Sequence, residues 1–591
     1  MVGFTRFVCG VGVVFALFFC ADYAPALDTE FHGRVQSTFV LRDYTGFQYG
    51  FMDELRGIQW RNELKFDITA KPEYEGFPSL RMEKLFISYR GAYDAIFDIR
   101  SDRFKGDGTW ERPGLRDKGP ADWELGKDDI ETENDLREGF VDIVGESAEH
   151  RLLLRLGRQI VQWGEADGFN VVNIVNPMDN STLLFFEMPE DLATPLWMLR
   201  MNYSHGNVGP LHSVGLEVLL VPDIRPWQIA PADDAINTKS VAPYQFGLQQ
   251  LEARPLNEFS TTKVLDMIVE VAQENGLSLG GALNLIEDRI HPESGATIDD
   301  LIATLTGPEQ LLTLKKIEEL GLVGSESGHY QWRQHVPGSS LKNTEYGVSL
   351  EAGYGSFVGH LYYYHGWQNF LGAEWHELLV PGDIHLTYPE QDMYGVSFNV
   401  FLPFVNGVLR GEGCMINKMY LLNVEGMAEG ALGTLLGLPP GATGLTAHNV
   451  YYGLIGFDKD MWIRWLNPNK MIGTSWQVYQ RHISSWDYSV DYRLFYKDDN
   501  YRITGYFYTD YVHGRIHPEV MLMYDPEGVW MTMASVKYSR DGRLFYKLTQ
   551  ISFWGNRGGT NGVVGGSITD FTQPFDLIPV SEVSLRVGYN W

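Results

Sequence analysis

The segment IQWRNELKFDI, residues 58–68, places Ile58, Trp60, Leu64, Phe66 and Ile68 on one parity and Gln59, Arg61, Glu63, Lys65 and Asp67 on the other, with Asn62 out of place. A period of two with one greasy side predicts a β-strand. Weaker copies run through residues 93–100, 196–203, 213–221, 393–402, 501–509 and 543–554. Several neighbours meet at turn-forming residues: Arg90–Ala92, Gly355–Ser356, Pro403–Phe404, Lys497–Asn500 and Arg540–Gly542. The last nine residues repeat the pattern, with Val583, Leu585, Val587, Tyr589 and Trp591 on one parity and Ser584, Arg586, Gly588 and Asn590 on the other. These elements predict an up-and-down antiparallel meander.

Two architectures fit such a meander. In a water-soluble sandwich the apolar face is the core and the charged face is wet. In a closed membrane barrel the apolar face meets lipid, the polar face meets a lumen, strands run about 9 to 11 residues and aromatic girdles mark both interfaces. The tryptophan at the last position favours the barrel, because a chain end fraying in water gains nothing from a large apolar side chain. With Arg61 and Lys65 toward lipid each would cost roughly 2–4 kcal/mol near the midplane, so the Trp60 face is the outer one. The expected fold is all-β, a transmembrane up-and-down antiparallel β-barrel. Parsing strands from both ends gives about 18 to 21, and the even number such barrels take narrows this to about 18–20. The first strand, near Phe31–Arg42, does not fit the resulting alternation of ends. The short connections at Arg90–Ala92, Gly355–Ser356 and Pro403–Phe404 fall at the periplasmic end, and the long ones near 101–134, 160–195, 222–343, 367–390, 417–447 and 555–581 at the other.

Composition adds a compartment. Arg6, an apolar run from Val8 to Cys20 and Ala24-Pro25-Ala26 form a signal peptide over residues 1–26, cleaved near Ala26. Cys20 follows Phe19, where a lipidation signal wants a small residue. The barrel then takes residues 27–591. Only Cys414 remains in it, which excludes an intramolecular disulfide and a cysteine-based zinc site. Beyond the signal peptide no apolar run is long enough for a transmembrane helix.

One connection breaks the β pattern. Within about 225–340, Val264, Ile268 and Val271, then Leu311, Leu314, Ile317 and Leu320, recur at helical spacing, predicting a small helical insertion that either plugs the pore or packs on the surface. Elsewhere Arg61, Glu63, Lys65, Arg155, Arg158 and Arg200 fall on inward parities as pore-lining candidates, with Arg502 beside them. Asp129, Glu131, Glu133 and Asp135 form an acidic stripe if extended. Facing rings of opposite sign constrict a channel, while interior salt-bridge ladders fill a barrel and conduct nothing. No complete nucleophile elbow, H-E-x-x-H helix or phosphate-cradling glycine loop is found, so no catalytic residue, metal site or cofactor is expected and an enzyme is the least favoured reading.

After the strand Leu152–Gln159, the turn-formers Trp163-Gly164-Glu165, Asn173, Asn176-Pro177 and Asp179 suit a loop folded back on itself, and Trp163, Glu165, Asn176 and Asp179 are candidates for a constriction. The pattern Gly157-Arg158-Gln159, Trp163-Gly164-Glu165 and Asn176-Pro177-x-Asp179 resembles the hallmark of a large proteobacterial outer-membrane barrel family catalogued as a domain of unknown function. Residues 456–482 resemble its second recurrent segment, and the logic around Gly157-Arg158-Gln159 has a more distant similarity to alginate-export porins. The resemblance implies an outer-membrane location in a Gram-negative bacterium, outer-membrane lipid and lipopolysaccharide around the barrel, and a final strand whose Tyr589 and Trp591 signal to the outer-membrane assembly machinery. It also implies an inner-membrane exporter and a periplasmic lipid carrier as partners, and no nucleic acid. The expected function is passage of a substrate, either a small solute or a lipid or hydrophobic compound; the alternative is a non-conducting surface-binding or structural barrel.

Overall fold

A computed structural model describes residues 27–43, 55–72, 80–99, 131–180, 189–226, 228–229, 331–369, 372–375, 383–422, 445–486, 498–526, 529–555 and 582–591. Its core is one 18-stranded antiparallel sheet. In chain order the strands are β1 (Leu27–Asp43), β2 (Leu55–Pro72), β3 (Arg81–Asp94), β4 (Thr132–Glu146), β5 (His150–Gln159), β6 (Leu196–Val208), β7 (Leu211–Val221), β8 (Glu345–Tyr354) and β9 (Phe357–Trp367). There follow β10 (Glu390–Leu402), β11 (Gly407–Leu422), β12 (Leu445–Met461), β13 (Ile472–Ile483), β14 (Asp499–Tyr508), β15 (Ile516–Asp525), β16 (Val529–Ser539), β17 (Leu544–Gly555) and β18 (Glu582–Asn590). Each pairs with the next, and β18 returns to β1 in a register from Arg34 opposite Asn590 to Arg42 opposite Glu582. Closure leaves the sheet no edge, the condition for a strand structure in hydrocarbon.

Parity sorts the two faces as the alternation predicts. Trp60, Leu156, Leu361, Ile455, Leu548 and Leu585 are among the exposed apolar side chains of the outer face, while Arg61, Glu217, Ser397, Glu412, Arg502 and Ser584 are buried on the inner one. Polar groups inside and apolar groups out is the reverse of a water-soluble protein. The C-terminal strand follows the rule, with Tyr589 and Trp591 outward and exposed and Arg586 buried inward. Trp591 does not fray: its N–H donates to Gly33 O at 3.0 Å and its carbonyl accepts from Gly33 N at 3.3 Å.

Two expected turns fall within strands. Asp499 and Asn500 of the expected Lys497–Asn500 turn already belong to β14, opposite His482 and Arg481, while Lys497 lies outside the described residues. Arg90–Ala92 lies inside β3, where Arg90 sits opposite Lys65 and Gly91 opposite Leu64. Gly91 makes room for a ring: a Cβ there would lie 2.9 Å from the Tyr89 hydroxyl. The strand expected at 93–100 is correspondingly the end of β3 followed by a four-residue helix, Ile96–Ile99, whose start is fixed by Asp94 Oδ1 accepting from Ile96 N at 3.1 Å. Removing that turn restores an even count and brings β1 into the alternation of ends. Strands run from 9 residues in β18 to 18 in β2, the upper end beyond the expected range.

The short connections 147–149, 209–210, 355–356, 403–406 and 540–543 share one end of the barrel. Most of the expected helical insertion, with its periodic positions between 264 and 320, lies outside the described residues, as does the signal peptide. The described parts of the 225–340 span are extended: Gln228–Ile229 pairs in parallel with Asp179–Asn180, and Gln331–His335 joins Asp383–Thr387 and Gly372–Trp375 in a three-stranded sheet.

Candidate functional site

The described residues of the connection from β5 to β6, 160–180 and 189–195, fold into the barrel. Shortly before the chain leaves the wall after Gln159 stands Gly157, whose φ of 142° lies in the region that favours glycine; a Cβ there would lie 2.2 Å from Gly139 O. The kink breaks the alternation, so that Arg158 turns inward like Arg155, donating to Asp135 Oδ1 at 2.8 Å and to Pro195 O at 3.1 Å. Asn176 ties the loop's departure to its return. Its Oδ1 accepts from Val161 N at 2.8 Å, and its Nδ2 donates to Thr194 O at 2.9 Å and Gln159 O at 3.3 Å. Asp179 enters the short parallel pairing with Gln228.

Beyond this base the loop lies against the walls of β7 to β13. Trp163 Nε1 donates to Glu217 Oε1 at 2.8 Å, and its ring packs 5.2 Å from Tyr362 and 6.1 Å from Tyr364. Glu165 N donates to Glu412 Oε2 at 2.5 Å, its carboxylate accepts from Asn399 Nδ2 at 2.9 Å, and its carbonyl accepts from Arg410. Asp167 N donates to Gln477 Oε1 at 3.1 Å, while Asp167 Oδ2 meets Arg410 Nη2 at 2.5 Å. Phe169 stacks on Tyr479, and Cys414 Sγ donates to Val171 O at 3.0 Å. Val161, Phe169, Val171, Val172 and Val175 are all buried, so the apolar core of the molecule is the seam between loop and wall.

The returning leg rests on β2 to β4. Asp191 Oδ1 meets Lys65 Nζ at 2.5 Å, Arg90 Nη1 donates to Asp191 O at 3.1 Å, and Arg137 Nη2 donates to Ala193 O at 2.8 Å. One loop therefore touches walls on both sides of its own root.

The six inward candidates lie on this wall, each paired with a neighbour. Arg61 binds Glu133 and lies 3.5 Å from Glu63; both Arg61 and Glu63 are closed to solvent, at 0% and 1% exposure. Arg155 is bidentate on Asp142 at 2.7 and 2.9 Å, and Arg200 meets Glu217 at 2.5 Å. Glu133 and Asp135 of the expected acidic stripe are the partners of Arg61, Arg90 and Arg158. Opposite charges thus join along one wall and with the loop that rests on it, where facing rings across a lumen were one of the two expectations. Pairing is what makes such burial tolerable, since removing one partner strands a charge.

Arg410, Glu412, Asn399 and Gln477, which dock the loop, were not among the expected site residues. The available signal is Arg410-Gly411-Glu412-Gly413-Cys414, charges at inward parity spaced by glycines. His482, Asp498 and Asp499 are the one group among the described residues with three potential metal-ligand atoms within 4.8 Å of one another; they sit at the ends of β13 and β14, away from the loop.

Fold and site together define a closed 18-stranded barrel whose interior carries an in-folded, multiply anchored loop. The chain belongs to the family described as "Protein of unknown function (DUF1302)", whose model matches residues 79–412, more than half of its length. That match covers the 157–179 hallmark, while residues 456–482 lie beyond it. No curated protein matches the sequence. Similar solved structures include Acinetobacter baumannii OccAB4, at 9% identity and a TM-score of 0.39 over 96% of this chain and 99% of that one. They also include Pseudomonas aeruginosa OpdK with vanillate, at 8% identity and a TM-score of 0.39 over 95% of this chain and 98% of that one.

Proposed function

We propose that this protein is an outer-membrane channel of a Gram-negative bacterium, through which a solute passes along a lumen narrowed by the in-folded residues 160–180. The observation that carries the reading is the loop itself: it is anchored to wall residues as distant as Gln477, 310 positions along the chain from Asp167. Barrels of 16 to 18 strands are wide enough to hold an aqueous channel, and a fixed loop inside one converts a wide hole into a selective one. The apolar outer face supports a lipid and lipopolysaccharide surround, and the outward Tyr589 and Trp591 support recognition by the assembly machinery. Service to an inner-membrane exporter and a periplasmic lipid carrier is the finer version of this proposal, and no catalytic role is part of it.

A second reading has its own support. Arg61, Glu63 and Tyr479 are almost wholly buried on the inner face, as in a barrel filled to carry a surface or structural role. Planar-bilayer current from the folded full-length protein separates the two: a channel conducts and a filled barrel stays silent.

A further inference from the structure

Register sets three cations side by side on the inner face, near the end of the barrel that carries the 540–543 connection. Lys537 of β16 lies directly opposite Lys547 of β17, and Lys547 directly opposite Arg586 of β18. Their chain neighbours Val536, Tyr538, Tyr546, Leu548 and Leu585 are exposed on the outer face, so all three point inward. A second row, Arg34 of β1 opposite Lys65 of β2 and Lys65 opposite Arg90 of β3, is answered by carboxylates: Lys65 meets Asp191 at 2.5 Å, and Arg90 meets Glu133. The first row is answered less fully. Glu519 Oε1 meets Lys547 Nζ at 2.6 Å, while Arg586 Nε donates to Thr38 Oγ1 at 3.1 Å and shares Glu63 with Arg61 and Lys65. Lys537 has no carboxylate at ion-pair distance among the described residues; its ammonium lies over the Phe545 ring, 5.0 Å from the centroid. That ring is buried, and Gly588 makes its seat, since a Cβ there would lie 2.4 Å from Phe545 Cζ. Lys537 is exposed and the Lys547 side chain is 28% exposed, so the inner face keeps both open to water.

Like charges directly opposite each other destabilise a sheet, and a lysine seated on an aromatic ring instead of against a carboxylate leaves that repulsion standing. A cation entering here would be repelled, and an uncharged solute would leave the repulsion as it is. An anion held between Lys537 and Lys547 turns it into attraction to both, beside a wall of low dielectric that concentrates the field. Ammonium groups act as point charges without the planar fork of a guanidinium, which suits a carboxylate and a phosphate alike. We propose that Lys537 and Lys547, with Arg586 beside them, bind the carboxylate or phosphate group of an anionic solute. The proposal names the solute class of the channel proposed above and rests on that reading for its role, though not for the binding itself.

The test is saturation-transfer NMR with succinate, and phosphorus NMR line broadening with inorganic phosphate, on the full-length protein folded in a neutral detergent, with the dication putrescine as control. The expected result is saturable binding of at least one anion and none of putrescine; which anion saturates names the group. Lys537→Gln should weaken that binding about fivefold or more, and Lys537→Arg, which keeps the charge, should retain it. Lys470→Gln removes the same charge from a lysine paired with Asp510 at 2.7 Å and should change nothing. Because Lys537→Gln also relieves the repulsion, its thermal unfolding midpoint should match or exceed that of the unaltered protein, so that weaker binding is not a loss of fold. Should the variant fail to assemble, the putrescine contrast decides. Absence of saturable binding by both anions, equal saturation by putrescine, or undiminished binding by folded Lys537→Gln overturns the proposal. Bilayer current read on the same preparations separates the two claims. Current without anion saturation removes this site and leaves the channel; anion saturation in a silent barrel keeps the site and removes the channel.

Discussion

Phe169 lies flat on Tyr479, ring centroids 4.7 Å apart and planes within 7° of parallel, joining the in-folded loop to the inner wall of β13. The same contact joins the two stretches that carry the sequence resemblance, since Tyr479 belongs to the 456–482 segment and Phe169 to the loop of the first.

If that stack holds the loop against the wall, Tyr479→Ala loosens it. The ring pair alone contributes about 0.5–1.5 kcal/mol beyond burial. The expected outcome is a normally assembled barrel whose loop is cut faster by protease added in detergent. Cleavage at the unaltered rate would mean that the polar anchors at Glu412 and Gln477 hold the loop without the stack.

Gly157→Ala is expected to be severe. A side chain at this φ costs about 1–3 kcal/mol in backbone strain, and its Cβ meets Gly139 O besides. Gly206→Ala is the control, because nothing lies within 4 Å of a Cβ there. Thermal unfolding of the two variants should differ by that amount, and equal midpoints would remove the structural reason for a glycine before Arg158.

The charged wall predicts a cost of pairing. Arg61→Met leaves Glu63 and Glu133 facing each other without their shared cation, which should destabilise the barrel by about 3–5 kcal/mol. The double change Arg61→Met with Glu63→Gln should recover part of that loss, because Glu133 keeps Arg90 as its partner, as read from urea unfolding. Additive effects would show that the pair is not coupled. The burial also implies that a cysteine at Arg61 resists a charged thiol reagent in a Cys414→Ser background, whereas one at Asp167, 65% exposed, reacts.

Assembly depends on the last strand. Deleting Trp591, or Trp591→Asp, should reduce folded outer-membrane protein far more than Asn590→Ser. The stability penalty for a charge near the interface is only about 0–1 kcal/mol, so a large loss reports the assembly signal and not the finished barrel. Equal amounts of heat-modifiable protein from all three would remove that role.

What could be read beforehand was what has a period. Inside-out parity at Trp60/Arg61 and Tyr589/Arg586, and the even strand number, follow from alternation and closure, both local or global rules of pattern. The Arg90–Ala92 turn was misread because a glycine serves equally to bend a chain and to seat a neighbouring ring, and only the position of Tyr89 separates the two. The loop's departure at 157–179 was visible as lost alternation with clustered turn residues. Its landing points were not, because Glu412, Asn399 and Gln477 come near it only through the curvature of the barrel, and no local spacing encodes that. Charge parity placed Arg61 and Lys65 inside, but whether they met water or carboxylates depended on which strand lay alongside.

The central claim is that the lumen conducts and that the in-folded residues 160–180 narrow it. The most direct measurement is single-channel current in planar bilayers, comparing the full-length protein with a variant in which residues 164–174 are replaced by a short glycine linker, both verified as folded by heat-modifiability. Stepwise current from the first and a clearly larger step from the second is the predicted result. Silence from both, or steps of equal size, would contradict it.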